Sequence, residues 1–282
     1  MTVVTRFAPS PTGLLHLGHA FAALFAEARV RESGGRFLLR IEDIDRTRCR
    51  SEFETVLIED LAWLGLSWET PIRRQSEHMD DYRRALARLE AEGLVYPCFC
   101  TRRVIATEIA AAAHAPHLAA MGPDGPPYPG TCRAQPSAER GARIAAGTPY
   151  ALRLNVAEAM RRTCPLTWTD HARGEQFATP EIFGDVVLGR KDTPASYHLA
   201  VTLDDALQGI TLVTRGEDLF AATHVHRLLQ ALLGLPTPEY LHHRLIVGAD
   251  GRRFAKRDQS ATLRALREAS RAPAEVRAMA GF

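Results

Sequence analysis

No run of about eighteen apolar residues occurs in the chain, so no membrane-spanning helix is expected. Met1 to Phe7 lacks a basic start followed by an apolar core, so no secretory leader is expected either. Charge of one sign is not in excess. The formal net charge is +2, which neither requires nor excludes a nucleic-acid partner, because a local basic face can sit on a near-neutral protein. Cysteine is scarce and odd in number. Five thiols without a secretory context point away from a disulfide framework and towards free thiols or metal ligands in a reducing cytoplasm. Internal repeats and low-complexity tails are missing as well. What remains is 282 residues, 46% hydrophobic and 24% charged. That is ordinary globular composition, with length for one to two domains and a large core.

The chain is organised around Arg6-Phe7-Ala8-Pro9-Ser10-Pro11-Thr12-Gly13, followed by His16-Leu17-Gly18-His19. Val3, Val4 and Phe7 read as a short buried strand. Two prolines and a glycine then break regular structure, and Phe21, Leu24, Phe25 and Ala28 recur at helical spacing. The pattern is strand, tight loop, helix, with His16 and His19 at the helix entrance. Such an entrance accepts anions, Gly18 permits close approach to the backbone, and two imidazoles there can donate to a phosphate as its charge grows. A metal pair or two surface histidines is the competing reading of H-x-G-H alone.

Phe37 to Ile41 reads as a buried parallel strand ending in Glu42-Asp43-Ile44-Asp45. Carboxylates just past a strand's C-terminal end sit where open α/β sheets bind ligands, although a solvated acidic turn has the same spacing. Ser51 with Glu54 has capping-box spacing before a helix that stops near Gly65. A second helix is expected from Met79 to Glu92. Strands are expected at Tyr150–Leu154, Thr167–Asp170 and Val186–Leu188, and a strand followed by an acidic turn at Tyr197–Asp205. A further strand at Ile210–Thr214 leads to Arg215 and a helix through Val225 and Leu228. A last short strand falls at Leu245–Val247. Arg190-Lys191-Asp192 reads as a solvated turn. The Ala-, Pro- and Gly-rich stretch 110–129 reads as a poorly packed insertion or mobile loop. Cys98, Cys100 and Cys132 give a weak zinc signal for which His114 or His117 is the chemically ordinary fourth ligand. Reduced core thiols without metal remain the alternative. Cys49 and Cys164 read as structural.

These motifs in combination resemble the class I aminoacyl-tRNA synthetases, and Arg6 to Gly13 with Arg40 to Asp45 resembles their glutamyl and glutaminyl group. The resemblance implies an α/β fold: a Rossmann-like doubly wound parallel sheet carrying an inserted acceptor-binding-like subdomain. It divides the chain into 1–95 and 193–248 as two catalytic halves, 96–192 as the insertion, and 249–282 as a signature loop with a C-terminal helix. It implies that His16, Gly18, His19 and Lys256 bind ATP, with His16, His19 and Lys256 catalytic. Arg6, Phe7, Ala8, Pro9, Ser10, Glu42, Tyr197 and Arg215 would line a glutamate pocket, Glu42 facing the ammonium group. The Tyr-x-x-x-Cys spacing of Tyr128 and Cys132 implies a structural Zn2+ on Cys98, Cys100, Tyr128 and Cys132. Mg2+ is expected with ATP. Arg253-Phe254-Ala255-Lys256 departs from the group's Lys-Leu-Ser-Lys loop and keeps only Lys256 outright. No helical anticodon-binding domain is evident, and short members with this layout resemble the glutamyl-queuosine tRNA(Asp) synthetases. That implies a monomeric cytoplasmic enzyme that activates L-glutamate with ATP and joins it to queuosine in tRNA(Asp). A truncated glutamyl-tRNA synthetase and a non-catalytic RNA-binding relative are the alternatives.

Overall fold

Strand β1 (Val4–Phe7) is buried along its whole length and leads through the Pro-Ser-Pro-Thr-Gly loop into helix α1 (Leu17–Ser33). The computed structural model describes residues 2–112, 121–246 and 262–282. From α1 the chain continues through β2 (Arg36–Ile41), α2 (Ser51–Trp63), β3 (Glu69–Arg74), α3 (Met79–Ala91), β4 (Val95–Cys98), α4 (Arg102–Ala112) and α5 (Ser137–Ala145). Then follow β5 (Ala151–Leu154), α6 (Val156–Arg162), β6 (Thr167–Asp170), β7 (Gly174–Phe177) and β8 (Val187–Gly189). The last run is α7 (Tyr197–Leu207), β9 (Leu212–Gly216), α8 (Ala222–Leu233), β10 (Glu239–His243), α9 (Leu263–Glu268) and α10 (Pro273–Met279).

The first half forms a parallel sheet in the order β1-β2-β3, with Val4 opposite Arg36 and Phe7 opposite Leu39. The second half is ordered β7-β6-β10-β9, parallel from β6 to β9, with β7 antiparallel at its edge. The halves meet between β1 and β9, where Thr211 N–H donates to Val4 O and Val4 N–H donates to Thr211 Oγ1, each at 2.9 Å. From that seam successive strands run outward in opposite directions. The seam is therefore the topological switch point of a doubly wound sheet, outside whose carboxyl ends ligands bind. A separate antiparallel sheet, β4-β5-β8, carries the cysteine segment.

Apolar helices cover both faces. One core packs Phe7, Leu24, Leu39 and Ile41 against Leu57 and Leu61 of α2 and Leu263 and Val276 of the two C-terminal helices. The other packs Tyr82, Leu86 and Leu89 of α3 against Leu199 and Leu203 of α7 and Val225 and Leu229 of α8. The seam itself is packed by a third cluster, Val4 and Leu38 against Ile210, Val213, Trp168 and Tyr240, with burial worth about 2 kcal/mol for each fully buried large aliphatic side chain.

Several expectations need correction. Tyr197–Asp205 is helical, not a strand: Leu199, Ala200 and Leu203 share one face and pack on α3 and α8. Ser51 is the first residue of α2 and caps nothing. Its N-cap is Arg50, with no side-chain cap. The strand expected at Leu245–Val247 lies earlier, at β10, where Tyr240 and His242 are buried against Val213 and Arg215 of β9; Leu245 and Ile246 are irregular, and Val247 lies outside the described residues. Strand β6 lies inside the stretch 96–192, yet pairs with β10 in the catalytic sheet. Lys191 is not simply solvated: its Nζ donates to Phe99 O at 3.1 Å. Cys164 is exposed, so it packs no core.

Candidate active site and metal centre

Helix α1 begins on an imidazole. His16, in extended backbone, caps the helix: Gly18 N–H donates to His16 Nδ1 at 3.1 Å, and His16 N–H donates to His19 Nδ1 at 3.2 Å. The ring centroids lie 3.8 Å apart. Each Nδ1 accepts, so each neutral ring carries its proton on Nε2, at the positive end of a helix. Gly18 leaves room for the capping ring. A Cβ on it would stand 3.0 Å from His16 Cε1 and press on the capping ring. Thr262 bridges His16 and Leu263 N–H donates to Leu15 O at 2.8 Å. The chain thus returns to the His16 strand end immediately after the segment containing Lys256. Lys256, Arg253 and the alternative ligands His114 and His117 themselves lie outside the described residues.

The strand ends beside this motif carry buried charge. Arg6 on β1 pairs bidentately with Asp205 of α7 at 2.8 and 3.2 Å and donates to Thr214 O. Arg40 on β2 is wholly inaccessible and bonds Asp205 at 2.7 Å and Glu42 at 3.1 Å. Burial alone would raise the Asp205 carboxyl, but Arg6 and Arg40 outweigh it and hold it below the ordinary range. Glu42 goes the other way, because burial raises it more than Arg40 and Arg6 lower it. Glu42 N–H donates to Pro9 O at 2.9 Å, tying the loop of Ala8, Pro9 and Ser10 to the acidic turn after β2. Burial raises the Tyr197 hydroxyl, with Arg215 and Arg6 opposing and Glu42 adding. These groups share one electrostatic neighbourhood. The structure thus gathers Arg6, Phe7, Glu42, Tyr197 and Arg215 at the carboxyl edge of the seam, the Ala8–Ser10 loop beside Glu42.

Arg40, Asp205, His226, His242 and Asp170 are members of this region that motif reading passed over. A charge inside the apolar run of β2 and the doublet Asp204-Asp205 were the available signals. Asp204 serves a second buried cluster, accepting from Arg73, Gln75 and Tyr82.

The candidate metal ligands converge away from the seam. The thiols of Cys98, Cys100 and Cys132 lie within 4.8 Å of one another. Tyr128 Oη stands 3.4 Å from Cys100 Sγ and accepts from Cys132 N–H at 2.8 Å. Zinc bound tetrahedrally by thiolates at about 2.3 Å needs sulfurs about 3.8 Å apart, so three sulfurs and one phenol oxygen fit it with small adjustments. Burial pushes the Cys100 thiol up to about 11. Burial acts likewise on Cys132, but hydrogen bonds from Tyr128 and the Phe99 N–H prevail and lower it. Arg153 stacks over the Tyr128 ring at 4.0 Å.

Buried paired arginines, an imidazole-capped helix entrance and a strand-end carboxylate lie on one edge of a doubly wound sheet, where α/β enzymes bind their ligands. The chain matches the catalytic domain of the class I tRNA synthetases (E and Q) over residues 2–277, and it belongs to that family. Within it, the chain is 50% identical over 285 residues to the glutamyl-Q tRNA(Asp) synthetase of Rhodobacter capsulatus, covering 99% of this chain and 100% of that protein. It is 44% identical over 280 residues to the glutamyl-Q tRNA(Asp) synthetase of Symbiobacterium thermophilum, covering 96% and 83% respectively. Among solved structures, the glutamate-tRNA synthetase of Elizabethkingia anophelis superposes with a TM-score of 0.77 at 30% identity. That match covers 92% of this chain and 53% of that one, so the chain spans about half the length of that structure. No helix among the described residues is long and apolar enough to cross a membrane.

Proposed function

We propose that this protein activates L-glutamate with ATP, without RNA for that step, and transfers the glutamyl group to the cyclopentene ring of queuosine in the anticodon loop of tRNA(Asp). The observation that carries the reading is the end-to-end match, at 50% identity, to a glutamyl-Q tRNA(Asp) synthetase. The site chemistry suits it. Glutamate's α-carboxylate attacks the α-phosphorus of ATP and pyrophosphate leaves. A hydroxyl of the cyclopentene ring then attacks the adenylate carbonyl and AMP leaves. Nε2–H donors of His16 and His19 at a helix entrance can stabilise charge growing on phosphate oxygens, a kind of contact worth about 10²–10³ in rate. Gly18 lies between them in the ATP site. Glu42 would take the ammonium group of glutamate, the Arg6 to Ser10 segment would line the amino acid with Tyr197, and Arg215 would take a carboxylate. Lys256 would close on the departing pyrophosphate, and Mg2+ would accompany ATP.

Cys98, Cys100, Tyr128 and Cys132 would hold one structural Zn2+, which when bound staples the segment after β4 to the Tyr128 turn. We assign residues 1–95 and 193–248 to catalysis, 96–192 to the insertion that meets RNA, and 249–282 to the signature loop and its C-terminal helices, with β6 lending Asp170 to the catalytic sheet. The enzyme would work as a monomer in the cytoplasm.

The test is glutamate-dependent ATP–pyrophosphate exchange without RNA, followed by transfer of labelled glutamate to queuosine-containing tRNA(Asp) and to tRNA(Glu). Exchange with label on tRNA(Asp) alone supports the proposal. Label on the end of tRNA(Glu) would make it a charging enzyme, and absence of exchange would count against glutamate activation.

A further inference from the structure

Arg215 is well bonded but not neutralised. Its Nε donates to His242 Nε2 at 3.1 Å, one terminal nitrogen donates to His226 Nδ1 at 3.1 Å, and the other donates to the Thr223 hydroxyl. Among the described residues its hydrogen-bond partners are two imidazoles and a hydroxyl, the Tyr240 ring centre lies 5.4 Å from the guanidinium, and none of these is a carboxylate. Arg6 and Arg40, by contrast, share Asp205.

A guanidinium has only donors, so both ring nitrogens facing it must be lone-pair acceptors. That fixes two tautomers. His226 carries its proton on Nε2, directed at His198 Nδ1 at 3.2 Å. His242 carries its proton on Nδ1, directed at Asp170 Oδ2 at 2.6 Å. Asp170 is itself held through Oδ1 by the Ala172 and Arg173 N–H groups. Burial and the Arg215 charge keep both imidazoles neutral, pushing His226 well below its ordinary value and His242 down to about 4 despite Asp170. Three of five N–H donors are then used, and the remaining two, one on each terminal nitrogen, suit the two oxygens of one carboxylate.

Resting on the glutamate-activation reading, we propose that His226 and the Asp170–His242 pair are positioning residues that present Arg215 to the substrate's side-chain carboxylate and thereby set the preference for glutamate over glutamine. Neutral acceptors orient the guanidinium and leave its charge for the ligand. A carboxylate in either place would neutralise Arg215 and let an amide side chain bind equally well. With imidazoles there, an amide ligand leaves a buried cation without an anion, which is the costly case.

The experiment compares His226→Leu, His226→Asn and Asp170→Asn in the full chain, by ATP–pyrophosphate exchange with glutamate or glutamine, with circular dichroism to check folding. Loss of one acceptor to a buried charge should raise KM for glutamate about ten- to hundred-fold. KM for ATP should stay within about two-fold of the parent, and the preference for glutamate should fall by the same factor as the glutamate KM rises. The amide oxygen of His226→Asn can stand in for Nδ1 and should restore most of the affinity. Asp170→Asn offers His242 a donor and so reverses its tautomer, setting N–H against N–H at Arg215. Should Asp170→Asn not fold, the two His226 variants decide the matter. An unchanged glutamate KM in folded His226→Leu, or an equal rise for glutamate and ATP, overturns the inference while the parent's exchange keeps the glutamate reading intact. No exchange in the parent overturns both.

Discussion

His16 and His19 each use Nδ1 for structure, and the proposed chemistry falls to Nε2. Nδ1 of each completes a reciprocal cap on α1, and that bond orients Nε2. The two roles separate under mutation. His19→Ala removes one donor and one capping acceptor, so a rate loss of about 10²–10³ in adenylate formation is expected, with KM for glutamate nearly unchanged. Pre-steady-state formation of glutamyl-adenylate measures both, and an equal loss in rate and glutamate affinity would reject the assignment. The single-residue signals were those with strong local chemistry: the H-x-G-H entrance, Glu42 after a strand, and Arg215 after another. Arg40 and Asp205 carried weaker ones. A lone arginine in an apolar run and an aspartate in a doublet say nothing of each other until the chain is folded.

Elements carry their own misreading and their own prediction. Tyr197-His198-Leu199-Ala200-Val201-Thr202-Leu203 mixes aromatic and β-branched residues with near alternation, which suits a strand. As helix α7, it puts Leu199 and Leu203 one turn apart in the core and lets Asp204 and Asp205 reach two different arginine clusters. Tertiary burial overrode propensity, and Gly209, left-handed just after the helix, was the overlooked stop signal. Between α2 and α9 lies a second buried charge. Asp60 is fully buried and contacts Arg267 Nε at 3.2 Å, and among the described residues neither of its carboxylate oxygens has an aligned hydrogen bond. Burial lifts its carboxyl to about 6, against the pull of Arg267. The folded state then holds a proton that the unfolded state releases near 3.8, so this group makes stability fall as pH rises from about 4 to 6, by roughly 3 kcal/mol. Asp60→Asn removes that loss. Urea unfolding should show the variant gaining on the parent at pH 8 relative to pH 4, and a pH-independent difference would contradict it.

At the scale of the molecule, buried histidines oppose Asp60. His242 titrates near 6.5 unfolded and about 4 folded. The unfolded state binds the extra proton in that window, so stability rises with pH across it, by roughly 3 kcal/mol, and levels off above. His226, also lowered, adds in the same sense. Stability of Asp60→Asn should therefore rise with pH between about 4 and 6.5, and more steeply than in the parent. A variant whose stability does not rise across that window would show that these imidazoles do not stay neutral, whereas an equal slope would count against the raised Asp60 carboxyl. Metal should matter on the same scale. About one zinc per chain is expected by atomic absorption, and chelation should lower the melting temperature by several degrees, with Cys132→Ser matching the chelated parent. Unchanged melting after complete removal of metal would reject a structural role.

The amino-acid sequence alone determined the parts whose physics is local: the loop-to-helix entrance, the apolar strands β1, β2 and β9, the helices α2, α3 and α8, and the cysteine spacing. Turn chemistry, periodicity and strand-end polarity act over a few residues and can be read in order. Only the tertiary structure decided which charges meet. Arg6 finds Asp205 across 199 residues, Arg40 finds it across 165, and His242 finds Asp170 across 72. A buried ion must have a partner, but that requirement names no address in the chain. The sheet order supplies it, by bringing the carboxyl ends of β1, β2, β9 and β10 to one edge of the seam.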